Sequence, residues 1–199
     1  DIFLNECVQG RRIEWVLVSG ASGGMGTAIV QTAKARCLRV IATVGGESKK
    51  AHSRAMGADH VLDHREDDLP ARVAEITGGR GVDLVLDAWG GDALARLLHC
   101  MAPWGLLILY NAVGGHPPAS FFDEWRKEMG KCLSVMYFSM HMWETDIEAR
   151  RRFIQRTIDL LASGRVRPPP GRFLPLAQAA EAHRLLEAGQ QIGRIFLRP

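Results

Sequence analysis

Apolar residues fall into two alternating patterns along this chain. Short, nearly unbroken apolar runs recur at residues 14–19, 38–44, 60–62, 82–87, 105–110, 132–138 and 192–197. They are brief and rich in β-branched or aromatic residues, which predicts strands. Between them lie stretches with apolar residues at helical spacing: 25–35 (through Ile29, Val30 and Ala33), 48–56, 69–76, 92–100, 121–130 and 176–188. The longest helical stretch opens Thr145-Asp146-Ile147-Glu148. This predicts a capping box with Thr145 as N-cap and Glu148 reaching back. It runs to Ser163 and stops at Gly164, a natural C-cap. Pro168, Pro169 and Pro170 then force extended chain before the last helix and a closing strand.

Strands that alternate with helices imply parallel pairing through crossover helices. Strands apolar on both faces imply a sheet covered on both sides. The expected fold is therefore α/β, a doubly wound parallel sheet. No linker divides residues 1–199, and the roughly 30 residues after the proline run are too few for an independent core. One domain is expected.

Composition narrows the function classes. The net charge is +3, with hydrophobic residues at 47% and charged residues at 24%. The densest basic run, Arg150-Arg151-Arg152, sits among helically spaced Phe153, Ile154, Ile158 and Leu161, so it reads as a solvated helix face. No aromatic-basic platform accompanies it, and no nucleic-acid partner is expected. No apolar run approaches the ~20 residues that cross a bilayer, so no membrane association is expected. The start, Asp1-Ile2-Phe3-Leu4-Asn5-Glu6, lacks the pattern of a signal peptide. Four dispersed cysteines (7, 37, 100, 132) suggest reduced thiols and a cytoplasmic protein. His60 and His64 are four apart, but in extended chain their imidazoles would stand ~13 Å apart, too far to share an ion. No metal site is expected.

The chemistry concentrates after the first strand, in Ser19-Gly20-Ala21-Ser22-Gly23-Gly24-Met25-Gly26. Glycines there permit a tight turn, let backbone N–H groups approach a pyrophosphate, and let the next helix pack against the strand. The helix N-terminus adds free N–H groups and a positive dipole end. Strand, glycine turn and helix as the first full unit of an alternating chain is the dinucleotide-binding arrangement of the Rossmann fold. The second strand bears on which dinucleotide. NAD sites of this kind place an acid about 20 residues on, to hold the ribose 2′-hydroxyl. Here the strand ends Ala42-Thr43-Val44-Gly45-Gly46, with no acid before Glu47, and Lys49, Lys50 and Arg54 follow. That favours a 2′-phosphate, hence NADPH, while Glu47 keeps NADH as the lesser alternative.

Several segments together resemble the medium-chain dehydrogenase/reductase superfamily. They are 16–26 (VLVSGASGGMG), 40–44 (VIATV), 56–61 (MGADHV), 81–91 (GVDLVLDAWGG) and the end from Ala182-His183 through Gly193-Arg194-Ile195. Within it the chain is similar to the quinone oxidoreductase and zeta-crystallin branch, whose pyrophosphate motif A-x-x-G-x-x-G appears here with Gly20, Gly23 and Gly26. The resemblance implies that Gly20, Ser22, Gly23, Gly24, Met25 and Gly26 line the cofactor, Met25 behind the nicotinamide. It places Lys49 at the 2′-phosphate, and His64 where the family has a tyrosine beside the adenosine. Trp89, Gly90, Tyr110, Asn111, Phe138 and Arg194 complete the implied cofactor contacts. The family usually has a small residue near Trp89.

The resemblance further implies an upstream barrel-like catalytic domain, absent here, that holds most of the substrate side and any zinc. The chain alone is then expected to bind NADPH but to transfer hydride poorly, and none of its residues is nominated as catalytic. The implied substrate is a quinone, an enone or a related carbonyl compound. A homodimer through residues 132–138 (CLSVMYF) is also implied, because the equivalent strand in the family pairs with its symmetry mate.

Three rivals remain. A short-chain dehydrogenase shares the glycine turn but needs Tyr and Lys four apart, whereas Tyr110 is followed by Gly114 and Tyr137 by His141. A methyltransferase would carry an acid at the end of strand two. A nucleotide-binding structural or sensor protein without turnover fits the fold equally, because function lives in the site.

Overall fold

The computed structural model describes residues 1–199. Six parallel strands form the main sheet, in the spatial order β3-β2-β1-β4-β5-β6. They are β1 (Trp15–Val18), β2 (Arg39–Val44), β3 (His60–Asp63), β4 (Val82–Asp87), β5 (Met101–Leu109) and β6 (Ser134–Tyr137). The crossovers carry α1 (Gly24–Lys34), α2 (Glu47–Ala55), α3 (Leu69–Thr77), α4 (Ala93–His99) and α5 (Phe121–Lys127). This is the expected doubly wound parallel sheet.

The strand pattern explains why both faces are covered. Successive side chains of a strand point to opposite faces. Leu17, Ile41, Val85 and Leu107 share one core with Leu69 and Val73 of α3, Leu94, Leu97 and Leu98 of α4, and Phe121 of α5. Val16, Val18, Val40, Ala42, Leu84, Leu86, Leu106 and Ile108 share the other with Ile29, Val30 and Ala33 of α1 and with Phe3 and Leu4. Burial of each large aliphatic side chain contributes about 1.5–3 kcal/mol.

Four details depart from the pattern in the sequence. First, β5 begins at Met101, four residues before the expected strand. Its pairing with β4 shifts register between Val82 and Leu84. Pro103 sits in this irregular stretch, where a missing donor is tolerated, and exposed Trp104 adopts φ 63°. Second, β6 is confined to Ser134–Tyr137, because Cys132 turns into the left-handed region at φ 52°. Third, the long helix α6 (Ile147–Ala162) is capped by Asp146, not Thr145. The Asp146 carboxylate accepts the Ala149 N–H at 2.9 Å, and Glu148 pairs with Arg151 instead of reaching back. An ionised acceptor makes the stronger cap.

The fourth departure is the C-terminal region. After the prolines the chain forms β7 (Gly171–Pro175), then a 3-10 turn (Leu176–Gln178), α7 (Ala179–Glu187) and β8 (Arg194–Arg198). The closing strand does not enter the main sheet. It pairs in parallel with β7 in a separate two-stranded sheet. Leu174, Ala182 and Leu185 make a small cluster of their own there.

Buried Asp83 on β4 fastens the start of β1. Its carboxylate accepts the backbone N–H of Glu14 at 2.8 Å and of Trp15 at 2.9 Å, and Arg80 pairs with it from outside. Asp83→Ala leaves those two amides without their acceptor, and should lower stability by about 2–4 kcal/mol. Urea unfolding followed by circular dichroism checks this; a loss under about 0.5 kcal/mol would show that the carboxylate is dispensable.

Candidate functional site

The strand order reverses between β1 and β4, so a crevice opens at their carboxyl ends. Ser19 and Asp87 meet there. The Ser19 hydroxyl donates to Asp87, which also accepts the N–H groups of Trp89 (3.1 Å) and Gly90 (2.7 Å). Burial pushes the Asp87 carboxyl above its ordinary range, against these three donors. The carboxylate thus shapes the loop after β4. That loop is also laced to the one after β5: Gly114 N–H donates to the Trp89 carbonyl (2.7 Å) and Gly91 N–H to that of Gly115 (2.8 Å).

The glycine turn bends between β1 and α1. Gly20 takes φ +60°, and the Ala21 N–H anchors the turn to the Thr43 carbonyl of β2 at 3.1 Å. Gly23 is the N-cap of α1, and no side chain caps the helix. Its first-turn N–H groups have no side-chain acceptor, which is the state an anion-binding helix end requires. The glycines divide in role. A Cβ on Gly26 would stand 2.7 Å from Ala21 Cα, so Gly26 lets α1 approach the turn. A Cβ on Gly23 would meet nothing nearer than 3.5 Å, so that side of the turn is open.

The end of the chain closes over the turn. Gly193 N–H donates to the Ser22 carbonyl at 2.8 Å, and Gly193 bridges to Gly23 as a parallel β-pair. This contact delivers Arg194. A Cβ on Gly24 would stand 2.6 Å from Arg194 Cγ and 2.7 Å from Nε, so that side chain lies across the helix entrance. Arg194 and the turn, 170 residues apart in sequence, form one cationic cradle.

The end of β2 brings no acid of its own before Glu47. Glu47 opens α2 and turns outward, pairing with Lys50 at 3.5 Å and Arg54 at 3.6 Å. Gly45 faces the tips of two basic side chains: a Cβ there would stand 3.0 Å from Arg65 Nε and 3.1 Å from His64 Nε2. Lys49 reaches across to donate to the Gly189 carbonyl. Burial and the nearby Arg65 charge lower the Lys49 pKa, with Asp63 opposing. Asp63 is close but spent on the backbone, accepting the N–H groups of Gly46 (2.8 Å) and Arg65 (3.0 Å).

The remaining residues cited from the sequence spread along the crevice. Met25 is half exposed at the first turn of α1. It lines an apolar pocket of about 340 Å³ with Phe3, Phe138 and residues of α6. Tyr110 and Phe138 both pack on Phe3, with ring centroids 5.0 Å and 4.7 Å away. Burial, and then Asp87, raise the Tyr110 phenol well above its ordinary pKa. Trp89 is exposed, and its indole leans on Gly114. Asn111 is exposed, and its side-chain oxygen accepts the next N–H at 2.9 Å.

Sequence reading missed Arg65, Asp63, Asp87 and Ser19. The Asp63-His64-Arg65 string directly after the third strand was the available signal for the first two. Nothing local marked the Ser19–Asp87 pair, because the partners are 68 residues apart.

Comparison with known proteins accounts for this layout. Residues 56–197 match the family model described as zinc-binding dehydrogenase. The 2-haloacrylate reductase of a Burkholderia species is 31% identical over 192 residues, covering 94% of this chain and 56% of the reductase. A highly reducing polyketide synthase of Cordyceps militaris is 30% identical over 190 residues, 92% of this chain and 7% of the synthase. Among solved structures, the Escherichia coli quinone oxidoreductase complexed with NADPH superposes with a TM-score of 0.88 at 30% identity, covering all of this chain and 61% of that one. The chain thus spans little more than half the length of the reductase. No three His, Cys, Asp or Glu side chains of the chain converge as a metal site, so the zinc in the family's name finds no ligand set here. On the family match across most of its length, and on the fold shared with the NADPH-bound oxidoreductase, the chain belongs to the zinc-binding dehydrogenase family of the medium-chain dehydrogenase/reductases.

Proposed function

We propose that this chain is the NADPH-binding domain of an oxidoreductase that delivers hydride to a quinone, an enone or a related carbonyl compound. The observation that carries the reading is the pairing of an uncapped glycine-rich helix entrance with a basic pocket at the end of β2, whose Asp63 carboxylate is bound to backbone N–H groups. The NADPH-bound relative of the same fold supports it.

Each part has a distinct task. Gly23, Gly24 and the first-turn amides of α1 would take the pyrophosphate, with Ser22 fixing the turn and Arg194 laid over it. Gly20 and Gly26 give the turn its shape. Lys49 and His64 would face the adenosine end, where Glu47 is already drawn away by Lys50 and Arg54. Met25, Trp89, Gly90, Tyr110, Asn111 and Phe138 would border the nicotinamide end. The cofactor supplies the hydride chemistry; the chain supplies position and electrostatics. No residue here is assigned as catalytic, and the substrate side belongs to a catalytic domain outside this chain. Four cysteines, all free, fit a reducing compartment, hence the cytoplasm. No helix is long and apolar enough to cross a membrane.

Two copies would join through β6. It is the edge of the six-stranded sheet, bonded to β5 alone. Its Val135 packs on one core and Met136 on the other, so both faces are already engaged and only the edge is open. Pairing edge to edge would satisfy its unpaired N–H and C=O groups and remove an aggregation hazard.

Calorimetry should show NADPH binding more tightly than NADH. Lys49→Ala should cost NADPH about 1–3 kcal/mol and NADH far less; equal wild-type affinities would overturn the assignment. Gly23→Val should keep the native circular dichroism and lose dinucleotide binding, since its Cβ has room in the protein but not beside a phosphate. Gly26→Val should instead destabilise the fold itself. Val135→Pro should convert a dimer seen by light scattering into monomer or insoluble protein. A wild-type chain that stays monomeric at high concentration would count against the interface.

A further inference from the structure

The basic pocket at Gly45 holds more than a lysine. His64 Nε2 and Arg65 Nε flank the same backbone position, each about 3 Å from where a Cβ on Gly45 would stand. Lys49 stands near enough for Arg65 to depress its pKa. Two basic side chains therefore gather on Gly45, and Lys49, held at the Gly189 carbonyl, stands within electrostatic reach of Arg65. The carboxylates beside them are engaged with backbone: Asp63 accepts the N–H groups of Gly46 and Arg65, one on each oxygen, and Asp67 accepts the Asp63 N–H at 2.6 Å.

We propose that Arg65 and His64 act with Lys49 as the reader of the cofactor's 2′-phosphate, and that His64 takes a proton from solvent as the phosphate seats. The inference rests on the NADPH reading above. Before binding, partial desolvation lowers the His64 pKa, and the charges of Arg65 and Lys49 lower it further while Asp63 raises it. Those are the groups that face it, from its own strand end and from α2. Lys50 lies beyond, engaged with Glu47 and Glu66. The β2 end contributes only Val44 and Gly45, and the loop after α7 contributes the Gly189 carbonyl held by Lys49.

A dianionic phosphate reverses this balance, because an opposite charge nearby favours the imidazolium. The group then binds its proton more tightly in the complex than in the free protein. By linkage, the gain in affinity is complete below the free-protein pKa, itself below the usual imidazole value. It is lost as the pH rises through the pKa of the complex. Preference for the phosphorylated dinucleotide therefore strengthens toward acid. The phosphate's own second proton, with a pKa of about 6 for such esters, works in the opposite direction, so a variant without the imidazole must be measured beside the wild type.

The test is calorimetry of NADPH and NADH in several non-phosphate buffers of different ionisation heat, from which the protons exchanged on binding are counted. Wild type should take up more protons with NADPH than His64→Gln does, and the two should agree with NADH. His64→Lys, a fixed charge, should keep tight NADPH binding and lose the imidazole's share of the pH dependence. Arg65→Gln should weaken NADPH by about tenfold to a hundredfold and leave NADH nearly unchanged. Both side chains are exposed, so circular dichroism should report native folding throughout. Equal proton counts in wild type and His64→Gln, or equal loss of both dinucleotides in Arg65→Gln, would overturn the proposal while leaving the NADPH reading in place. Failure of the wild type to bind either dinucleotide would overturn both.

Discussion

The close approach of α1 to the turn that precedes it is the constraint on which the site depends. With no side chain at Gly26, the helix backbone lies directly on Gly20 and Ala21. The helix entrance is thereby fixed at the carboxyl edge of the sheet, directly beside the topological reversal. The Ala21–Thr43 hydrogen bond then fixes the turn to β2, and the Ser22–Gly193 bond fixes the chain's end to the turn. Any side chain at position 26 would move all three attachments together. The open side of Gly23 exists because the crowded side of Gly26 is filled by backbone.

Charge is distributed around this frame by a simple division of labour. The acidic side chains nearest the crevice face inward and hold backbone. Asp87 organises the loop after β4, and Asp63 secures the chain on either side of the basic pocket, as Asp83 does for the start of β1 at the opposite, amino edge of the sheet. A carboxylate that accepts two or three backbone N–H groups has little capacity left to repel an anion. The basic groups, Lys49, His64, Arg65 and Arg194, are left facing the crevice. The modest net charge of +3 conceals this local excess, because Glu47 and Glu66 offset it on the outer surface through Lys50.

Much of the architecture was legible in the sequence because buried parallel strands leave a strong signal. The run VDLVLD can be read as a fully covered strand, and all six of its residues are buried. The glycine turn was legible for the same reason: its residue types are dictated by local geometry. What the sequence concealed was pairing at a distance. β7 is short, and only one of its residues is buried, so it carries no apolar run to distinguish it from the loop implied by the prolines. The start of β5 was hidden by Pro103, which belongs there only because the strand is irregular. Thr145 and Asp146 both suit a cap, and only the backbone geometry selects the carboxylate. In the site, the sequence marked Lys49 and His64 but not Arg65, since a charged residue just after a strand normally reads as solvated surface.

The strand pair at the C-terminus has a consequence for how the molecule would respond to a ligand. An isolated two-stranded sheet is marginal in water, and this one has a three-residue cluster to support it. It is moored to the rest of the chain at Gly193, beside the very turn where a pyrophosphate would lie. Because a group on β8 reaches over that turn, occupancy of the cradle would add free energy to the least secure part of the fold. Local opening of β7 and β8 would then be the reporter of cofactor state, slow to exchange amide hydrogens when the cradle is filled and fast when it is not. A segment that lies outside the main sheet would thus sense, through one backbone bridge, what happens at the sheet's centre.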